Sequence, residues 1–215
     1  LGEKVTTVNF ENIAFGQELN FDNALTAATV GVNKVITAAA GPVTVTVDSA
    51  TAAGALKTLT INASGKASNV TLDQTTDTIE TLNITGKADL TLVYTAAVAS
   101  KIVTIDGSKA EGKLDLDLAN TTAATLKTVK TGSADDKLAL SIAVASGTTI
   151  DLGAGNDKLV AGGGSVVASS TTVIDGGAGI DSLDAALVNS TNAGVFASFE
   201  TLSLNTTAAD LDLAL

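Results

Sequence analysis

A short segment of the form T-[LIV]-x-[IL] returns along the chain roughly every two dozen residues. This recurrence restricts the fold more than any other feature. The copies are TLTI (58–61), TLNI (81–84), IVTI (102–105), TVKT (128–131), TIDL (149–152), VIDG (173–176) and TLSL (201–204), with weaker ones at 12–15 and 34–37. Start-to-start spacings are 22, 24, 23, 21, 26, 21, 24 and 28 residues.

After most copies comes a turn of small residues and then a second strand, as at VTL (70–72), LTLV (90–93) and LDLDL (114–118). Alternation within strands has period two, as in VTVTV (43–47). One such unit cannot bury its apolar face alone, but stacked neighbours can. The expected fold is all-β, a right-handed parallel β-solenoid or β-roll. Nine coils one strand separation apart, about 4.8 Å, give a rod about 40 Å long. An antiparallel sandwich also shows short strands and regular turns and is the competing arrangement. Helical turns are expected only within return loops, at 51–57 and 190–198.

Composition sharpens this picture. Hydrophobic residues make up 45% of 215, yet aromatics only 3%, with no Met or Trp. The interior must therefore be tiled with Val, Ile, Leu, Ala and Thr, which suits a repeated cross-section. With no Cys there are neither disulfides nor thiolate metal sites. Arg and His are also absent, so the net charge of −11 is 12 Lys against 23 acids. That balance argues against nucleic acid, whose binding needs basic patches, and suits hard cations that take oxygen ligands. No stretch reaches the roughly 20 apolar residues of a membrane span. Residues 1–10 hold no Met and no apolar signal core, so the chain is read as beginning inside a longer precursor.

Three turns are far richer in Gly and Asp than the rest: TGSADDKLA (131–139), LGAGNDKLV (152–160) and GGAGIDSLD (176–184). All align to the nonapeptide G-G-x-G-x-D-x-U-x, where U is a large aliphatic. The third matches at every fixed position, through Gly176, Gly177, Gly179, Asp181 and Leu183. The second replaces only the first Gly, by Leu152. The first keeps Gly132, Asp136 and Leu138 but carries Thr131 and Ala134 where the pattern has Gly. Gly permits the positive φ that curls a turn and aims its carbonyls inward. The Asp at position six adds a carboxylate, and the aliphatic at position eight anchors the next strand. Residues 131–184 hold seven Asp and two Lys, and close carboxylates repel unless a cation lies between them.

These nonapeptides resemble the RTX family of calcium-binding β-roll proteins over residues 131–184. In tandem RTX rolls the nonapeptides follow one another directly; here Gly132, Gly153 and Gly177 lie 21 and 24 residues apart. The turns thus mark one edge of the coil and imply a single row of Ca2+, about two ions in three turns. Carried over by position, the family pattern implies Asp136, Asp157 and Asp181 as side-chain ligands. The carbonyls would come from Gly132, Ala134, Gly153, Gly155, Gly177 and Gly179. Residues 1–130 read as coils with degenerate, mostly metal-free turns, because Lys66, Lys87 and Lys109 sit mid-turn, pairing with acids such as Asp89 or Glu111. Residues 185–215 read as a C-terminal coil of the same solenoid, with DLDLAL (210–215) an incomplete strand.

The Thr/Ala/Val-rich whole, with FETLSL (199–204) and IETLNI (79–84), is similar to RTX-type bacterial surface-layer proteins. That resemblance implies a secreted structural protein, exported by type I secretion and self-assembling into a two-dimensional lattice on the cell surface. An anchor to cell-surface polysaccharide would come from another region. The alternative is the stalk or binding module of a large RTX adhesin. An enzyme is not expected: without His or Cys no Ser-His-Asp or Cys-His constellation forms, and few aromatics are present to stack a sugar beside a carboxylate pair.

Overall fold

The computed structural model describes residues 5–37, 39, 41–49, 54–74, 78–96, 101–118, 125–141, 143–166, 169 and 171–204. The strand expected at 210–215 lies outside them, as do residues 51–53 of one expected helical turn.

The chain first runs through β1 (Thr7–Glu11), β2 (Gln17–Phe21), β3 (Ala27–Asn33), β4 (Val43–Ser49), β5 (Thr58–Ala63), β6 (Ser68–Gln74) and β7 (Thr81–Gly86). It continues through β8 (Leu90–Ala96), β9 (Thr104–Ala110), β10 (Leu114–Asp117), β11 (Thr128–Lys130), β12 (Lys137–Leu140) and β13 (Ala143–Val144). The remaining strands are β14 (Thr149–Asp151), β15 (Lys158–Ala161), β16 (Ser165–Val166), β17 (Val173–Asp175), β18 (Ser182–Asp184), β19 (Phe196–Ala197) and β20 (Thr201–Ser203).

Each coil visits one long sheet and then the other. The first sheet orders β1-β3-β5-β7-β9-β11-β14-β17-β19 and the second β2-β4-β6-β8-β10-β12-β15-β18-β20. Neighbours within each sheet pair in parallel, for example β5 with β7 and β6 with β8. This is a parallel β-solenoid, with nine strands in each long sheet among the described residues, and the antiparallel sandwich is set aside. A third, two-stranded face, β13-β16, lies in the return loops that follow β12 and β15.

Register explains the composition. Leu59, Leu82, Ile105, Val129, Ile150 and Ile174 stack in one inward column. Val43, Val70, Leu92, Leu116, Leu138, Leu159 and Leu183 form the facing one, and all of these are buried. Each such side chain contributes about 1.5–3 kcal/mol on burial. Threonines 58, 81, 104, 128 and 149 stack on the outer face of the first sheet, where β-branched side chains fit the pleat. Of the few aromatics, Phe21 and Tyr94 are fully buried, with the Tyr94 hydroxyl donating to Gln74 Oε1 at 2.8 Å, and Phe196 and Phe199 meet edge to face near the C-terminal end.

Four copies of the short segment sit differently from their sequence positions. The expected copies at 12–15 and 34–37 follow β1 and β3 rather than forming them; the paired strands are Thr7–Glu11 and Ala27–Asn33. The copy at 102–105 moves two residues on, because Thr81 pairs with Thr104. TLSL (201–204) supplies a strand of the second sheet, opposite Ser182 and Leu183. In the first three cases several adjacent β-branched and aliphatic residues satisfy the pattern in more than one register; in the last the first-sheet strand is Phe196–Ala197 instead. A 3₁₀ turn occurs at Ala193–Val195, inside the expected 190–198, and another at Ala185–Leu187, which was not expected.

Candidate metal centre

The corners after β11, β14 and β17 lie one above another. The amide of Ala154 donates to Gly132 O at 3.1 Å, and that of Ala178 to Gly153 O at 2.9 Å. Gly155 N donates to Ala178 O at 2.9 Å, and Ala154 and Ala178 form a parallel bridge. Packing along this column is close. A Cβ on Gly177 would come within 2.1 Å of Gly153 O, and one on Gly155 within 2.3 Å of Ala134 O. Gly153 and Gly177 also have φ of 87° and 92°, a region that favours glycine. The first corner is wound differently, since no residue in 131–136 has positive φ. The expected convergence of carbonyls therefore takes a modified form: Gly132 O and Gly153 O run along the stack and each already accepts one amide.

The position-eight leucines behave as expected. Leu138, Leu159 and Leu183 stack in register and point inward. Two residues earlier, Asp136, Asp157 and Asp181 form a column of carboxylates that is at most 1% exposed. Asp157 Oδ1 accepts the amide of Asp136 at 2.7 Å, and Asp181 Oδ1 accepts that of Asp157 at 2.7 Å. At the lower end Asp136 Oδ1 accepts from Leu114 N at 2.7 Å. In earlier coils the same amide position is served by main chain: Ser68 N donates to Asp89 O and Leu90 N to Lys113 O. The carboxylate of the next coil thus replaces a main-chain carbonyl.

Sequence reasoning missed the upper end. Glu200 Oε2 accepts the amide of Asp181 at 2.8 Å and is the exposed last rung of the column. The signal was an acid two residues before a leucine at coil spacing: Asp136 and Leu138, Asp157 and Leu159, Asp181 and Leu183, Glu200 and Leu202. A parallel ladder runs outside it, with Asp135 Oδ1 accepting from Asn156 N and Asn156 Oδ1 from Ile180 N.

The inner carboxylates are not equally satisfied. Asp136 Oδ2 accepts from Gly132 N at 2.8 Å. Asp157 Oδ2 and Asp181 Oδ2 are buried with no hydrogen-bond partner. Burial pushes Asp157 up to about 7, helped by repulsion from Asp136, Asp181 and Asp135 and opposed by the Asp136 amide. Burial also raises Asp136 and Asp181; Glu200 and Asp175 add to the effect at Asp181. Two orphaned carboxylate oxygens in a negatively charged column fit a hard cation with oxygen ligands. Among the described residues no three acidic side chains gather round one point, so such an ion would draw on paired carboxylates from adjacent coils together with carbonyls.

Of the three mid-turn lysines of the N-terminal coils, Lys87 makes an expected ion pair. Lys87 pairs with Glu111 at 3.1 Å, with both side chains largely in solvent, an arrangement contributing about 0–1 kcal/mol. Asp89 instead accepts the backbone amide of Lys113 at 2.9 Å.

No protein-family model, no curated protein and no solved structure matches this chain.

Proposed function

We propose that this chain is a calcium-stabilised structural protein, a solenoid segment of a secreted bacterial surface layer, and is not catalytic. The observation that carries the cation reading is the pair of buried, partnerless oxygens, Asp157 Oδ2 and Asp181 Oδ2, on stacked Gly/Asp corners. A buried charge without a partner is costly. Bound calcium would supply the positive charge that lets neighbouring carboxylates stay ionised and close together.

Asp157 and Asp181 would hold the ion through Oδ2 while their Oδ1 atoms keep the coils in register. Gly153, Gly155, Gly177 and Gly179 let the corners approach closely enough for main-chain oxygens to join. Tying adjacent coils in this way would stiffen the C-terminal half, while the N-terminal half rests on its aliphatic columns. The surface-layer role, the lattice and the extracellular location rest on the RTX resemblance of the corners; a rod of uniform cross-section suits a repeated array.

Electron microscopy of the purified protein tests the assembly. Two-dimensional arrays are expected with calcium and should vanish with chelator. Protein that stays monomeric at every calcium concentration contradicts the lattice and favours an adhesin stalk.

A further inference from the structure

We infer that Asp151 and Asp175 are positioning residues that leave Asp157 and Asp181 open to a cation, and that Asp136, lacking such a neighbour, is closed to one. This rests on the cation reading above and changes which corners do the binding.

The three corners share one problem. Each begins with a glycine amide, on Gly132, Gly153 or Gly177, that needs an acceptor inside the turn. The residue two places earlier decides which acceptor it finds. Those residues stand in one register column: Lys130 pairs with Asp151, and Asp151 with Asp175. Asp151 Oδ1 accepts from Gly153 N at 3.1 Å, and Asp175 Oδ1 accepts from Gly177 N at 3.0 Å. Lys130 has no acceptor to offer. Gly132 N accordingly donates to the inner carboxylate, at Asp136 Oδ2.

The consequences differ sharply between corners. Asp136 has both oxygens occupied by main-chain amides, from Leu114 and Gly132. Asp157 and Asp181 each spend Oδ1 on the coil below and keep Oδ2 buried and partnerless. Around Asp181 the space is held by glycine, since a Cβ on Gly176 would lie 3.0 Å from Asp181 Oδ2. The motif letters alone place a ligand at all three aspartates. The hydrogen bonds divide them into one structural cap and two open carboxylates, with D-x-G-x-G-x-D as the pattern of an open corner and K-x-G-x-x-x-D that of a closed one.

Calorimetric titration of the full chain with calcium alone separates the roles. Asp136→Asn should keep the wild-type stoichiometry and affinity, whereas Asp157→Asn should lose binding. Asp151→Ala should weaken binding about 10–100-fold, as losing a supporting partner does. Asp151→Asn keeps an acceptor oxygen and should restore most of that loss. Lys130→Asn removes no buried group and gives Gly132 N a local acceptor; it should free Asp136 Oδ2 and increase the calcium bound. Circular dichroism in chelator checks that each variant folds. Loss of binding in Asp136→Asn equal to that in Asp157→Asn, wild-type affinity in Asp151→Ala, or unchanged stoichiometry in Lys130→Asn would overturn the inference while leaving the cation reading standing. A wild-type chain that takes up no calcium defeats both.

Discussion

Asp157 Oδ1 lies 2.7 Å from the backbone nitrogen of Asp136, twenty-one residues earlier and one coil below. One side chain therefore performs a task that the upstream coils give to a main-chain carbonyl, while its second oxygen is left without a partner. The cap and the charge can be separated by substitution. Asparagine keeps the acceptor oxygen and removes the charge; leucine removes both.

Asp157→Asn should melt no lower than wild type in chelator at pH 8, because it relieves an uncompensated buried charge. With calcium present it should melt lower. Asp157→Leu should melt lower in both conditions, by about 1–3 kcal/mol for the abandoned amide of Asp136. Thermal unfolding followed by circular dichroism gives all three. Asp157→Asn falling below wild type in chelator would contradict the assignment of an unpaired charge.

The pH dependence should be inverted relative to an ordinary salt-bridged carboxylate. Asp157 sits near 7 in the folded chain, above its usual 3.8, and Asp136 and Asp181 shift the same way. Between these values the folded state binds more protons than the unfolded one, so stability falls as pH rises through this window. The metal-free protein should thus melt higher at pH 5 than at pH 8. Calcium replaces the proton, so its affinity should rise with pH over the same range. A metal-free midpoint that climbs from pH 5 to pH 8 contradicts the account.

Close stacking of the corners predicts a contrast between two glycines that both have positive φ. Gly177→Ala would drive a Cβ to 2.1 Å from Gly153 O, in addition to the strain at φ 92°. Gly163, at φ 104°, has nothing within 4 Å of the same position. Gly163→Ala should cost about 1–3 kcal/mol from backbone strain alone. Gly177→Ala should cost clearly more and should weaken calcium binding as well. Equal losses in the two variants would mean that the corners are not packed against each other.

The fold was legible because a period-two pattern inside a longer repeat leaves few arrangements, and the strands at 58, 81, 128, 149 and 173 fall where the sequence places them. Register in the first coils was not legible. Around Ala27–Asn33 and Ile102–Gly107 several neighbouring residues satisfy the same short pattern, and only pairing across coils selects one. The corners were recognisable from Gly153, Gly155, Gly177 and Gly179, whose φ values explain those glycines. The capping role of the aspartates was not, because it depends on amides of another coil, such as that of Asp136 beneath Asp157. Glu200 escaped for a related reason: its turn lacks the glycines, and only the leucine two residues on marks it as the same rung.

The most direct measurement is an anomalous-difference map from crystals of the full chain grown with a calcium-mimicking lanthanide. Density is expected between Asp157 and Asp181, against their Oδ2 atoms, with none beside the closed carboxylate of Asp136. A column without density there, or an ion bound only at another part of the solenoid, would contradict that expectation.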